Sequence, residues 1–344
     1  MRRTAFTLIE LLVVILIIGI VIAIIVPALG GVRDVAKGTA TKSLMNEIQN
    51  ACTQFYQDEN RLPGYFDPRD MGHAENINRG MSGMENVMLD LAGGIVPTGS
   101  AGPNVVTVGP RTSSATWVSV DVDLIGVASS SSKAYFTPPK KNYVAQINTG
   151  QQVGQAGHTA PEGMPQLPDL VDAWRAPILF WAMDEATVSP IDEIDDVARV
   201  NSSAGAQRAR FYWASNACFL SATSLGEKGI DQTNLASGRF SLLAPSVPEA
   251  PQSLAAALGH PAFPNPSDDT LPSATRGRFI VQSAGRDGMF FSSKDKGAKN
   301  FADNKMVYER NFRPVVGTNY TENGKPVTKD ILADFDDMIL TGGN

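Results

Sequence analysis

Phe6 to Leu29 reads FTLIELLVVILIIGIVIAIIVPAL, and the fold of everything downstream depends on what this stretch is. From Leu11 to Val26, sixteen consecutive residues carry no side chain able to hydrogen-bond. With the flanks Phe6–Glu10 and Pro27–Leu29, the segment reaches the roughly 20 residues that a membrane-spanning helix needs. A helix satisfies its own backbone in lipid, which is the solution open to a lone segment. Arg2 and Arg3 precede the segment and Asp34 is the first acid after it. The positive-inside rule therefore predicts a single-pass topology with a cytoplasmic amino terminus and the remaining chain on the far side of the membrane.

Glu10 is the anomaly. A carboxylate in a spanning segment costs about 2.5 to 3.5 kcal/mol on insertion scales, and no Lys, Arg or His lies between Arg3 and Arg33. Proteolysis between Ala5 and Phe6 would create an α-amino group one helical turn ahead of Glu10, or within reach of Glu10 on a neighbouring, axially shifted copy. A spanning helix that needs a neighbour is one built to assemble.

The run Ala5-Phe6-Thr7-Leu8-Ile9-Glu10-Leu11-Leu12-Val13-Val14 resembles the processing and methylation motif of type IV pilins and of the pseudopilins of type II secretion systems. The resemblance implies cleavage before Phe6 by a prepilin peptidase and N-methylation of Phe6. It also implies that Glu10 contacts the amino group of an adjacent subunit during assembly, and that Pro27 kinks the helix. Ala5 departs from the pattern, because Gly usually precedes the cut. Two plainer readings compete. A secretory signal peptide could end at Ala28-Leu29-Gly30, but its apolar centre is usually 7 to 15 residues long. A simple membrane anchor leaves Glu10 without a purpose.

At 344 residues, 43% of them hydrophobic and 19% charged, the chain has ample material for a globular core. The net charge of −6 and pI near 5.2 argue against a general nucleic-acid surface, so no nucleic-acid partner is expected. Cys52 and Cys218 are too few for a disulfide framework; in an oxidising compartment they form one bridge, or else they are two buried free thiols.

Past the membrane the helix is expected to continue. Val32, Val35, Ala36, Leu44, Ile48, Cys52 and Phe55 recur at three- and four-residue steps, an amphipathic stripe laid on a core. Gly30, Gly31 and Gly38 each lower helix propensity by about 1 kcal/mol, which predicts a bend or local melting near the membrane surface. Asn60, Pro63 and Gly64 supply the stop. The layout is thus a leader (1–5), a transmembrane helix (6–29), the extramembrane half of the same helix (30–62) and a β-rich head (63–344).

Within the head, Gly83–Leu91 reads as a short helix. Residues 93–163 are rich in Gly, Ser, Thr and Pro, with strands at Thr116–Leu124 and Asn142–Ile147 and a solvated serine tract at Ser129–Ser132. The proline-rich stretch 245–272 reads as a surface loop with a helical turn at Ser253–Leu258. Arg210–Leu220, Arg239–Leu243 and Arg278–Gln282 are strand candidates by β-branched and aromatic content. Asp172-Ala173-Trp174-Arg175-Ala176-Pro177-Ile178-Leu179-Phe180-Trp181 reads as a turn and an aromatic-rich strand, and resembles the D-x-W-G-x-P turn and strand of major pseudopilins, with Arg175 where Gly is usual.

Ser283-Ala284-Gly285-Arg286-Asp287-Gly288 resembles the S-x-G-x-D-G turn of the same proteins, and Asp334-Phe335-Asp336-Asp337-Met338-Ile339 resembles their terminal segment. In those relatives such an acidic loop binds calcium, so the resemblance implies ligands at Asp287, Asp334, Asp336 and Asp337. Oxygen-only donors suit a hard cation. The alternative is that these are solvated turn acids beside Lys294 and Lys296. His73, His158 and His260 lack zinc spacing, and no nucleophile elbow or phosphate loop is present, so no enzyme is expected. Taken together, the chain is predicted to be an α+β, pilin-like subunit: a long amino-terminal helix packed on an antiparallel sheet with large insertions. The expected role is that of a type II secretion pseudopilin in a bacterial inner membrane with a periplasmic head. Its partners would be copies of itself, other pseudopilins, the prepilin peptidase, membrane lipid, and an assembly platform with its ATPase. A type IV pilus subunit for adhesion, motility or DNA uptake, and a tethered binding protein that never polymerises, are the alternatives.

Overall fold

The structure, a computed structural model, describes residues 8–77, 80–112, 116–127, 133–144, 167–185, 197–201, 207–247, 250–260, 272, 274–300, 306, 321–322, 325–326 and 330–343. Helix α1 (Leu8–Glu59) is 52 residues long, about 78 Å at 1.5 Å per residue. It continues through Pro27, Gly30, Gly31 and Gly38 without a break. The local melting expected at the glycines does not occur: their propensity cost is small against the cooperativity of a helix extending many residues to either side. Termination comes at the expected place. Asn60 takes a left-handed φ of 54° and its N–H still bonds to Tyr56 O at 2.9 Å, the geometry of a left-handed helix cap.

No residue from Leu8 to Val26 is buried. Further along, one stripe is: Thr41, Leu44, Met45, Ile48, Ala51, Cys52 and Phe55, at the three- and four-residue steps of a single helix face. Val32 and Val35 stay largely exposed, so the covered face begins later than the sequence pattern suggests, where the sheet first reaches the helix.

That sheet has three antiparallel strands: β1 (Ile178–Ala182), β2 (Phe279–Ser283) and β3 (Met338–Gly342), in the order β3-β2-β1. Ser283 pairs with both Ile178 and Met338. Because side chains alternate between faces, Ile178, Phe180, Phe279 and Val281 meet the stripe of α1 and the helix α2 (Gly83–Leu91). Phe180 and Phe279 stack there with centroids 5.5 Å apart. Leu179, Trp181 and Ile280 face the opposite way into a second core, which includes Trp213, Phe219, Phe290 and helix α3 (Ala250–Leu258). Cys52 lies in the first core and Cys218 in the second. Both are free thiols; the sheet stands between them, and the bridge is not formed.

Helix α2 has the bounds expected from the sequence and a complete capping box between Ser82 and Glu85. Two strand expectations fail. The Gln207–Tyr212 strand ends early, and Trp213–Leu220 coils into two helical turns; a short run buried on nearly every side has no periodicity to distinguish a helix from a strand. Arg239–Leu243 makes only an isolated bridge, Ser241 to Ser292. The 93–163 insertion contributes a small sheet in which Val118–Asp121 lies between Ile95–Val96 and Val105–Val108. Its Val108 and Val120 pack on Phe66, Met71 and Leu89. Ser129–Ser132, residues 145–163 and residues 261–271 lie outside the described residues.

Candidate functional site

The first candidate region is the amino-terminal half of α1. Ala5 and Phe6 lie outside the described residues, and Glu10 sits in the first helical turn on an exposed surface. The apolar side chains that follow it are exposed as well, from Leu11 to Val26. This is the one helix among the described residues long and apolar enough to cross a membrane, and it fits a single-pass anchor. The helical backbone passes through Pro27.

The second region lies where the head meets α1. The Asp172 side chain is fully buried and closes a tight turn: its Oδ1 accepts from Trp174 N at 2.8 Å and Ala176 N at 3.0 Å, and its Oδ2 accepts from Ser283 Oγ at 2.7 Å. Burial pushes its pKa up to about 6, against the opposing pull of these hydrogen bonds. Arg175 adopts φ 72°, the left-handed conformation that Gly takes at no steric cost. The position where the related turn has Gly is thus one whose backbone asks for it. Arg175 is held by its Nη1 donating to Lys141 O at 2.6 Å and by Glu227 at 3.1 Å.

The loop after β2 folds against the approach to β3. Gly285, at φ 66°, lies so close that a Cβ there would stand 2.3 Å from Asp336 O. The two acidic motifs, far apart in sequence, are therefore neighbours in space. Asp287 N–H donates to Asp336 Oδ2 at 3.1 Å, and Asp336 N–H donates to Asp295 Oδ2 at 3.3 Å. Carboxylate oxygens of Asp287, Asp295 and Asp336 all lie within 4.8 Å of one another. Burial and the charges of Asp287 and Asp295 push Asp336 up to about 7, and its Oδ1 is buried with no hydrogen-bond partner among the described residues. Three convergent carboxylates, one with an orphaned oxygen, fit a hard divalent cation.

The expected ligand set is corrected in part. Asp287 and Asp336 come together, but Asp334 turns away to Lys296 at 2.7 Å. Asp337 accepts from Gln282 Nε2 at 2.7 Å and Phe291 N at 2.8 Å, and burial raises its pKa well above the carboxylate range. Alternate residues of an extended segment point opposite ways, which separates Asp336 from Asp337. Asp295 takes the third place. No motif pointed to it; its separation from Asp287 by only a short loop was the available signal.

A family model described as the prokaryotic N-terminal methylation motif matches residues 1–26. No curated protein and no solved structure matches the chain. The motif implies processing by a prepilin peptidase and association with other pilin subunits. Residues 1–26 thus carry the type IV pilin and pseudopilin signature, and the long helix laid on an antiparallel sheet is consistent with a pilin-like fold.

Proposed function

We propose that the protein is a pseudopilin of a type II secretion system, cut between Ala5 and Phe6, N-methylated at Phe6, and assembled through α1 into a short periplasmic filament that moves folded cargo. Its work is mechanical rather than enzymatic: an assembly platform and its ATPase add subunits, and the head presents the filament surface. The observation that carries this reading is one acid, Glu10, at the start of a fully exposed apolar helix. In lipid its charge is costly; beside the amino group of a neighbouring trimmed copy it becomes half of an ion pair. Secretion is favoured over a pilus by the base of the head. There the Asp172–Pro177 turn has a left-handed backbone at Arg175, and Gly285 lies against Asp336, so the two tail motifs that resemble major pseudopilins are neighbours.

The convergence of Asp287, Asp295 and Asp336 supports a structural calcium ion held by these three, with remaining oxygens from backbone and water. Such an ion offsets most of the charge of three close carboxylates and fastens the carboxy-terminal strand to the loop after β2. The functional test is Glu10→Ala in cells expressing the whole apparatus. Membrane insertion is expected to persist while filament incorporation and secretion are lost; normal incorporation would overturn the assembly role.

A further inference from the structure

Three loops gather where α1 leaves the head. Arg286 Nε lies 3.2 Å from Asp34 Oδ2 on the helix, and Lys228 Nζ donates to Arg286 O at 3.0 Å. A Cβ on Gly38 would meet the Trp174 ring at 3.6 Å, one on Gly226 would meet Arg175 O at 2.8 Å, and one on Gly288 would meet Ile230 at 2.9 Å. The hairpin 225–230, the turn 172–176 and the loop 283–288 therefore form one continuous foot around residues 34–41 of α1.

The height of this foot follows from the helix. Asp34 lies five residues beyond Leu29, where the apolar segment ends, which is roughly 7 to 8 Å along the axis. A headgroup layer extends roughly 5 to 8 Å beyond the hydrocarbon. The foot thus stands at the outer edge of the headgroups when α1 is in the membrane. Its exposed cations are Arg33 and Lys37 on the helix, and Lys228 and Arg286 on the head. Arg286 keeps 73% of its side chain exposed while paired with Asp34. The acids at this level are Asp34, Glu227 and Asp287, which lie against Arg286, Arg175 and Arg239 respectively. Cations prevail here, on a chain whose net charge is −6.

We propose that this foot binds anionic phospholipid headgroups, with Lys228 and Arg286 of the head and Arg33 and Lys37 of the helix contacting phosphate. The surface is continuous with the apolar helix and complementary in charge to such lipids. Each basic side chain that reaches an anionic surface tightens attachment about fivefold. Bound in this way, the head is fixed in tilt and height over the bilayer before the subunit joins others. The inference rests on α1 being a membrane anchor.

The test uses the full chain in nanodiscs holding one copy each, made of phosphatidylcholine alone or with added phosphatidylglycerol, read by amide hydrogen exchange. Exchange at residues 225–230 and 283–288 is expected to slow several-fold with the anionic lipid. The protection should vanish when salt rises from about 0.05 to about 0.5 M, and in the Lys228→Gln/Arg286→Gln double variant, whose exchange in the core strand at residues 279–282 stays slow as evidence of folding. Equal exchange in both lipids overturns the proposal. So does protection that appears only in discs carrying two copies, since a neighbouring subunit then covers the foot. A chain that fails to enter discs refutes the anchor and the proposal together; one that enters without lipid-dependent protection refutes the proposal alone.

Discussion

Ala173 N–H donates to Thr41 Oγ1 at 3.2 Å, so a buried threonine on the long helix accepts from the turn that leads into β1. Helix and head are joined by this bond, by the stripe beneath it, and by Gln49 Nε2 donating to Thr341 O at 2.6 Å. Thr41→Val keeps the shape and removes the acceptor, leaving a partly buried N–H unmet. It should cost about 1 to 2 kcal/mol in urea unfolding. Ile48→Ala, at a fully buried position between helix and sheet, should cost about 3 kcal/mol. If both variants unfold like the parent chain, the helix is not docked as described.

Asp172 gives the head a pH dependence of definite sign. Its pKa is raised by burial from 3.8 to about 6, so the folded state holds the proton more tightly than the unfolded chain. The contribution is fully present below pH 4 and is lost as pH rises through 6, a change of about 3 kcal/mol. Asp172→Asn removes this step. The variant's melting temperature should vary less between pH 4 and 7 than the parent's, with the larger gain at pH 7. A constant difference between the two proteins across that range would contradict a buried, proton-linked Asp172.

Calcium is expected to raise the melting temperature of chelator-stripped protein, and the response should disappear in Asp295→Asn as well as in Asp336→Asn. Asp334→Asn, at an acid that pairs with Lys296 outside the carboxylate cluster, should respond like the parent. A shift below about one degree in the parent chain, against the roughly 2 to 4 °C that 1 kcal/mol produces in a chain of this size class, removes the cation from the account.

Gly285→Ala should destabilise the foot by about 1 to 2 kcal/mol or more, because φ 66° is unfavourable for any residue with a Cβ and because that Cβ would press on Asp336 O. Circular dichroism melts check this directly. A neutral substitution would mean that the loop and the tail are not in contact.

Local signals carried much of the fold. The end of α1 could be read from Asn60, Pro63 and Gly64 because a left-handed cap is written in the residues that adopt it, and α2 from the helical spacing of Met84, Val87, Met88 and Leu91. Strands β1 and β2 were visible in their apolar, β-branched and aromatic content. Pairings between distant segments were not. Asp295 reaches Asp336 only because the chain returns after a long excursion, and nothing in the spacing of acids separates it from Asp334, which pairs with Lys296 instead. The Trp213–Leu220 turns were misread because a segment buried on all sides shows no periodicity. The free thiols of Cys52 and Cys218 follow from a sheet whose position between them no sequence pattern reveals.

The central claim is that residues 1–5 are removed so that Phe6 becomes the methylated start of a helix whose Glu10 meets a neighbour. The intact mass and amino-terminal sequence of protein purified from cells that contain the peptidase test it most directly. The account predicts a chain that begins at N-methylated Phe6; a chain beginning at Met1, with Arg2 and Arg3 retained, or at Gly31, with the apolar helix gone, would contradict it.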